Sequence, residues 1–215
     1  MNLSSALLIA SAFLAFLYLM GWPPRGQILP RMAVKAGSVL LLAIVAVVNG
    51  GPWLLVLALA FGSLGDAFLV HDGKGSFIGG LASFLVAHLL YAALFWSTAS
   101  PVAGMPQWMI PLASVVLAGA AAVLLRLVWA GTAGLRIPVL LYAAAILAMT
   151  ITALSTGRPA VMAGSLLFFA SDAVLSLEKF RLAADAPVRR VSAPFVWASY
   201  YLAQLLILLG WPLEG

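Results

Sequence analysis

Long apolar stretches without charged residues alternate along the whole chain with short segments rich in glycine, proline and charged residues. Each of eight such stretches is close to the roughly 20 residues that a helix needs to cross a hydrocarbon core of about 30 Å. Apolar residues surround each predicted helix, as expected for helices in lipid or inside a bundle. The predicted spans are Ser4–Met20, Met32–Val48, Trp53–Val70, Phe77–Ser97, Trp108–Trp129, Arg136–Ala153, Pro159–Glu178 and Pro194–Trp211.

Composition supports a membrane protein. Of the 215 residues, 65% are apolar and only 8% are charged, whereas about a quarter of a soluble domain is charged. Eight spans use roughly 160 residues, which leaves no room for a second, aqueous domain. We therefore predict an all-α polytopic helix bundle of eight transmembrane helices, with residues 1–215 as a single integral membrane domain. No Lys or Arg precedes Arg25, so the first span is predicted to be a retained helix rather than a signal peptide.

Basic residues lie almost entirely on one side of the predicted membrane. With eight spans the loops alternate between sides, and Arg158 alone of the eleven Lys and Arg residues falls on the second side. Because excess Lys and Arg mark the cytoplasmic side, we expect both termini to be non-cytoplasmic. The net charge of +5 then fits contact with anionic membrane lipid, and the short loops offer no basic face for nucleic acid. The composition favours a bacterial inner membrane.

Two carboxylic acids lie inside predicted spans, where an ionisable residue is a functional hypothesis by default. Asp66 and Asp172 are predicted roughly 6 Å and 9 Å from the cytoplasmic ends of the third and seventh spans. Their matched depth and shared small-Asp-Ala-x-Leu context allow them to converge in one cavity on the cytoplasmic side. The alternative is that each acid caps or packs near a helix end, paired with an arginine.

Further polar side chains lie near the same depth and are candidates for substrate binding. His88 and Tyr91, like Tyr201 and Gln204, are three residues apart and share a helix face. Each has a structural alternative, such as a snorkelling lysine, a core histidine or an interhelical hydrogen bond. Glu178 is predicted to form a solvated helix end with Lys179 and Arg181. The candidates are Lys35, His88, Tyr91, Tyr142, Ser171, Tyr201 and Gln204.

The two halves of the chain show a weak internal symmetry. Asp66 and Asp172 are 106 residues apart, and Lys35 and Tyr142 are offset by 107. Each half would contain four spans in the same orientation, so the pattern is that of a parallel repeat.

Paired carboxylic acids suit acid–base hydrolysis. Burial and a like-charged neighbour disfavour a second negative charge, so one acid of such a pair can stay protonated near neutral pH. The pair can then donate a proton to one atom and direct water to another, as in reactions through oxocarbenium-like ions. The chain has no cysteine, and its one intramembrane histidine and two aspartates lack diagnostic metal-ligand spacing, so no metal site is predicted.

A series of motifs covers most of the chain in order: Lys35, Gly65–Leu69, Phe77–Gly80, Phe84–Tyr91, Tyr142 with Met149, Gly164–Leu175 with Phe180, and Tyr200–Ile207. By these motifs the chain resembles the YhhN-like lysoplasmalogenase family of integral membrane hydrolases. Ala36 is a departure, because many relatives are expected to have proline after the lysine.

The resemblance implies cleavage of the vinyl ether bond of lysoplasmalogens, with no cofactor. One of Asp66 and Asp172 would protonate the vinyl β-carbon, and the other would stabilise the oxocarbenium ion and guide water. Lys35 would pair with the head-group phosphate, and the remaining candidates would orient water and polar substrate atoms. A proton-coupled transporter and a non-enzymatic lipid-binding protein are the alternatives.

Overall fold

The computed structural model describes residues 2–24, 26–99 and 108–211; Arg25, used above for the orientation, lies outside them. Within these ranges the chain forms eight α-helices and a short 3₁₀ turn at Trp129–Thr132, and no strand. The helices are α1 (Leu3–Leu19), α2 (Ile28–Val48), α3 (Trp53–Leu69), α4 (Lys74–Ser97), α5 (Met109–Val128), α6 (Arg136–Leu154), α7 (Pro159–Phe180) and α8 (Arg189–Leu209).

Six helices of the described ranges are long and apolar enough to cross a membrane. They are α2, α4, α5 with its 3₁₀ extension to Thr132, α6, α7 and α8. The other two, α1 and α3, are apolar but have 17 residues each, the lower end of the length that spans a bilayer. Large apolar side chains such as Val115 and Val116 are exposed, as expected where lipid replaces water. The protein is therefore a polytopic helical membrane protein.

Helices α2 and α8 begin four to five residues before the predicted spans, at Ile28 and Arg189. Both early segments contain proline, Pro30 in α2 and Pro194 in α8. Proline is tolerated near the start of a helix because the first amide groups have no intrahelical acceptor. The predicted spans start at Met32 and Pro194, whereas each helix begins earlier and runs through its proline.

The chain divides into two compact units, which are described separately. Unit 1 comprises Met1–Leu94 with Leu208–Gly215, and unit 2 comprises Phe95–Ile207. In unit 1, α2 packs against both α1 and α3; in unit 2, α5, α6 and α7 pack on one another. Asp66 and its helix belong to unit 1, and Asp172 and its helix belong to unit 2.

A buried acid holds the connection between α7 and α8, which corrects the prediction of a solvated end for Glu178, whereas Lys179 and Arg181 are exposed as predicted. Glu178 is only 6% exposed; its carboxylate accepts a hydrogen bond from the Ser192 hydroxyl and pairs with the Arg189 guanidinium at 3.6 Å. Arg189 also donates to the carbonyls of Leu182 and Ala183, which are orphaned acceptors after a helix end. Partner groups from the next helix make burial of this acid possible.

Glycine sets the close approach of α7 and α8 in unit 2. A β-carbon added at Gly164 would lie 2.8 Å from the Ala203 carbonyl oxygen and 2.9 Å from Ile207. Small residues commonly permit such contact between membrane helices.

We predict that Gly164→Ala lowers the thermal unfolding midpoint in detergent, because one backbone or the other must move; overpacking of this kind costs roughly 1–3 kcal/mol. Gly119→Ala in α5 is the matched control, since an added β-carbon there meets nothing within 4 Å. Equal midpoints for the two variants would contradict this account of the packing.

Candidate functional site

Asp66 forms a nearly buried ion pair in unit 1. Its Oδ1 atom lies 3.1 Å from Lys35 Nζ, and the two side chains are 2% and 12% exposed. Lys35 comes from the second turn of α2 and Asp66 from the last turn of α3, so the antiparallel helices bring both to the same end of the hairpin. Removing charges from water is costly and is offset only by close pairing. The two residues therefore act as a unit.

Hydrogen bonds between helices fix the position of this ion pair. The Ser63 hydroxyl, one turn before Asp66, donates to the Ala36 carbonyl at 2.8 Å, and the Ser38 hydroxyl donates to the Lys35 carbonyl at 2.7 Å. Helix α2 continues without interruption through Ala36, the position where many relatives were expected to have proline. On the far side of α3, a β-carbon at Gly65 would lie 2.6 Å from the Phe84 ring, so α4 packs directly there.

An aromatic ring with two neighbouring cations lies at the same end of unit 1. The Arg31 guanidinium carbon lies 4.9 Å from the Tyr18 ring centroid, and Lys35 Nζ lies 5.7 Å from it. Arg31 also donates to the Tyr18 hydroxyl and to the Pro23 carbonyl, each at 3.0 Å. The loop after α1 and the start of α2 thus hold one guanidinium next to the Lys35–Asp66 pair.

His88 and Tyr91 lie one turn apart on α4 and are fully buried. They follow Phe84, whose ring packs on Gly65 beside Asp66. Both residues therefore belong to the interior of unit 1. Their role as substrate-binding groups stays a prediction.

Asp172 accepts a short hydrogen bond in unit 2. The Tyr142 hydroxyl of α6 donates to Asp172 Oδ2 at 2.5 Å. This contact restrains the rotamer of the Asp172 carboxyl group. The sequence had placed the two residues at similar depth but not in contact.

Among the remaining predicted residues of unit 2, Ser171 links α7 to α8, whereas Gln204 and Tyr201 make their contacts within α8. The Ser171 hydroxyl donates to the Val196 carbonyl at 2.9 Å. Gln204 is fully buried and donates to the Tyr200 hydroxyl at 3.3 Å, and the Tyr201 ring stacks on Trp197 with centroids 6.2 Å apart. Substrate binding by these three residues stays a prediction.

The internal geometry of the two hairpins is alike. In unit 1, Asp66 on α3 bonds to Lys35 on the preceding helix; in unit 2, Asp172 on α7 bonds to Tyr142 on the preceding helix. The two partners, Lys35 and Tyr142, are 107 residues apart in the sequence, which is nearly the 106-residue separation of the two aspartates. The partners differ in charge, since one carries an ammonium group and the other a hydroxyl group.

Sequence reasoning missed Tyr18 and Arg31 as neighbours of the aspartate site. Arg31 had been counted only toward the orientation of the chain. A signal was present, because Arg31 and Lys35 are four residues apart and such residues share a helix face. Tyr18 offered no such signal, since its position beside α2 depends on the loop that connects α1 to it.

Comparisons with known proteins agree with the resemblance seen in the sequence. The profile of the YhhN family matches residues 30–211. A lysoplasmalogenase of Mycobacterium bovis is 33% identical over 194 residues, which cover 86% of this chain and 71% of the relative. Human lysoplasmalogenase TMEM86A is 29% identical over 170 residues, covering 73% and 64% respectively. No solved structure matches the chain. This chain belongs to the YhhN family.

Proposed function

We propose that this protein is a membrane hydrolase that cleaves the vinyl ether bond of lysoplasmalogens. The products are a fatty aldehyde and glycerophosphoethanolamine or glycerophosphocholine. Relatives named lysoplasmalogenase support the activity. The observation that carries the chemistry is the pair of intramembrane carboxyl groups, Asp66 and Asp172, each held by a side chain of the preceding helix.

The proposed reaction needs one proton donor and one carboxylate. The donor protonates the vinyl β-carbon, which gives an oxocarbenium ion between the α-carbon and the ether oxygen. Water, deprotonated as it attacks, adds to the α-carbon, and the hemiacetal then collapses to the aldehyde and the glycerol hydroxyl. A negative charge beside the cation lowers the barrier most if it is already in place.

The Lys35–Asp66 ion pair supports the carboxylate role for Asp66. An ammonium group 3.1 Å away stabilises negative charge on Asp66, so this residue is suited to stabilise the oxocarbenium ion and to accept the proton of water. The donor role then falls to Asp172, and the Tyr142 hydroxyl at 2.5 Å orients it. His88, Tyr91, Ser171, Tyr201 and Gln204 complete the proposal as groups that orient water and polar substrate atoms.

The proposed topology has eight spans, with α1 and α3 crossing as well as the six longer helices. Their apolar composition and 17-residue length support this proposal, as does the bias of basic residues toward one side. On this topology both termini are non-cytoplasmic in a bacterial inner membrane. The aspartates then lie toward the cytoplasmic leaflet, where a lysophospholipid can enter from the bilayer.

The proposed function is tested by aldehyde release from purified protein in detergent. Lysoplasmenylethanolamine is compared with its 1-alkyl analogue, which lacks the double bond, and with the 1-acyl analogue, which has an ester. We expect aldehyde from the vinyl ether alone, because only an enol ether can form the cation by protonation on carbon. Absence of aldehyde from a folded protein, combined with substrate uptake into proteoliposomes, would favour the transporter instead.

Tyr142→Phe is predicted to lower kcat for aldehyde release by roughly 2–10-fold, the rate equivalent of losing one hydrogen bond of about 0.5–1.5 kcal/mol that orients the neutral acid. Thr150→Val is the matched control, because Thr150 is a buried residue of the same helix whose hydroxyl donates to the Ile146 carbonyl. Equal rates in Tyr142→Phe and wild type would show that the hydroxyl does not orient the acid.

A further inference from the structure

Arg31 lies at the same end of unit 1 as the Lys35–Asp66 ion pair. The groups that it contacts within the described residues are all neutral. In the described ranges, its guanidinium donates to the Pro23 carbonyl and the Tyr18 hydroxyl and lies over the Tyr18 ring. Lys35, by comparison, has the Asp66 carboxylate at 3.1 Å. A guanidinium has five N–H donors, so two anchoring bonds do not exhaust its capacity to bind an anion.

The anchoring contacts give Arg31 a defined position. Two hydrogen bonds of 3.0 Å and the ring at 4.9 Å restrict a side chain that would otherwise lose much of its rotamer freedom on binding a ligand. Arg31 is half-buried rather than extended into solvent. A planar donor group held in this way is suited to bidentate recognition of a phosphate.

The spacing along α2 relates Arg31 to the reacting end of the substrate. Arg31 and Lys35 are four residues apart on one helix face, so Arg31 lies about one turn, roughly 6 Å, from the residue that pairs with Asp66. In a lysoplasmalogen the three-carbon glycerol unit places the phosphate at a similar distance from the ether oxygen. The charges also match, since a phosphate diester and Asp66 together balance the two cations.

We propose that Arg31, held by Tyr18 and Pro23, binds the phosphate of the lysophospholipid head group while Asp66 faces the vinyl ether. This inference rests on the proposed function, and it transfers to Arg31 the phosphate contact that the sequence suggested for Lys35. Lys35 then stabilises the negative charge of the Asp66 carboxylate. Arg31 makes the enzyme select a phospholipid over a neutral ether lipid.

The test is equilibrium binding to protein in nanodiscs, which is independent of turnover. The probes are a 1-alkyl lysophosphatidylethanolamine, which has no vinyl bond to cleave, the neutral 1-alkylglycerol, and inorganic phosphate. The variants are Arg31→Gln, Arg31→Lys and the control Arg136→Gln. Arg136 is matched because its guanidinium lies over the Trp129 ring at the same 4.9 Å, but it is six residues before Tyr142 and so does not share that residue's helix face.

We expect Arg31→Gln to weaken binding of the phospholipid at least tenfold and to leave binding of 1-alkylglycerol unchanged. Arg31→Lys should recover part of the loss, and Arg136→Gln should match wild type with both lipids. An equal loss for both lipids, or no loss for either, would overturn the proposal, as would wild-type binding of inorganic phosphate as tight as that of the lipid. Failure of aldehyde release with this binding pattern intact would refute the hydrolase and not the phosphate site.

Discussion

Asp66→Asn is expected to lower aldehyde release from lysoplasmenylethanolamine by roughly 10²–10⁴-fold, the range for loss of a general acid or base. The amide keeps the size of the side chain but has no negative charge to stabilise the oxocarbenium ion or to accept the proton of water. The measurement is initial aldehyde release by protein that elutes as a single species in detergent. Asp72→Asn, an exposed acid in the loop after α3, should retain wild-type activity.

The Asp66 variant needs a control for stability, because it leaves the Lys35 ammonium group without its carboxylate. Removing one partner of a buried pair costs roughly 3–5 kcal/mol, so a lower unfolding midpoint is expected as well. The double variant Lys35→Met with Asp66→Asn replaces both partners and should recover much of the midpoint without recovering turnover. Activity in the stable double variant would contradict the catalytic role of Asp66.

Asp172→Asn is expected to cause a comparable loss of aldehyde release for a different reason. An amide cannot donate a proton to carbon, although it can still accept the Tyr142 hydrogen bond. The unfolding midpoint should therefore change less than in Asp66→Asn, since the amide oxygen keeps the 2.5 Å contact with Tyr142. Midpoint and initial rate are measured on the same preparation.

Asp185→Asn provides the control for Asp172, because Asp185 is an exposed acid in the connection after α7. It should release aldehyde at the wild-type rate. If Asp172→Asn also retained that rate, the proton would have to come from another group, and the proposed division of roles between the two aspartates would fail. An unchanged rate in both aspartate variants would return the transporter and the lipid-binding protein to consideration.

The helices of the described residues could be predicted because lipid imposes a simple rule on sequence. A segment that crosses hydrocarbon must satisfy its own backbone and lack charge over roughly 20 residues, so apolar runs predict helices almost directly. α3 and α6, for example, begin at the predicted residues Trp53 and Arg136. Helices α2 and α8 begin four to five residues before the predicted starts Met32 and Pro194, because proline near an N-terminus does not break a helix.

The partners of the functional groups could not be predicted in the same way. Depth along a helix follows from counting residues, but contact also depends on rotation about the helix axis and on the neighbouring helix. The 3.1 Å contact of the Lys35 ammonium group with Asp66, for example, did not follow from the depth of either residue. Tyr142 was known to be near the right depth, yet its bond to Asp172 requires the packing of α6 on α7.

Glu178 shows that the burial of a charged residue is equally hard to predict from its neighbours in the sequence. Its neighbours Lys179 and Arg181 in the sequence indicated a solvated helix end, and local charge is usually a good guide to exposure. The groups that permit its burial, Arg189 and Ser192, come from the start of the next helix. Burial of an acid depends on such distant partners, and one sequence without its fold does not identify them.

The central claim is that a carboxylic acid of this protein protonates a vinyl carbon, and hydrolysis in D₂O tests it most directly. Lysoplasmenylethanolamine is incubated with wild-type protein in D₂O, and the fatty aldehyde is analysed by mass spectrometry before it exchanges with solvent. Proton donation to the β-carbon predicts one deuterium at carbon 2 of the aldehyde. Aldehyde without deuterium at that carbon would contradict the mechanism, and absence of aldehyde would contradict the proposed function.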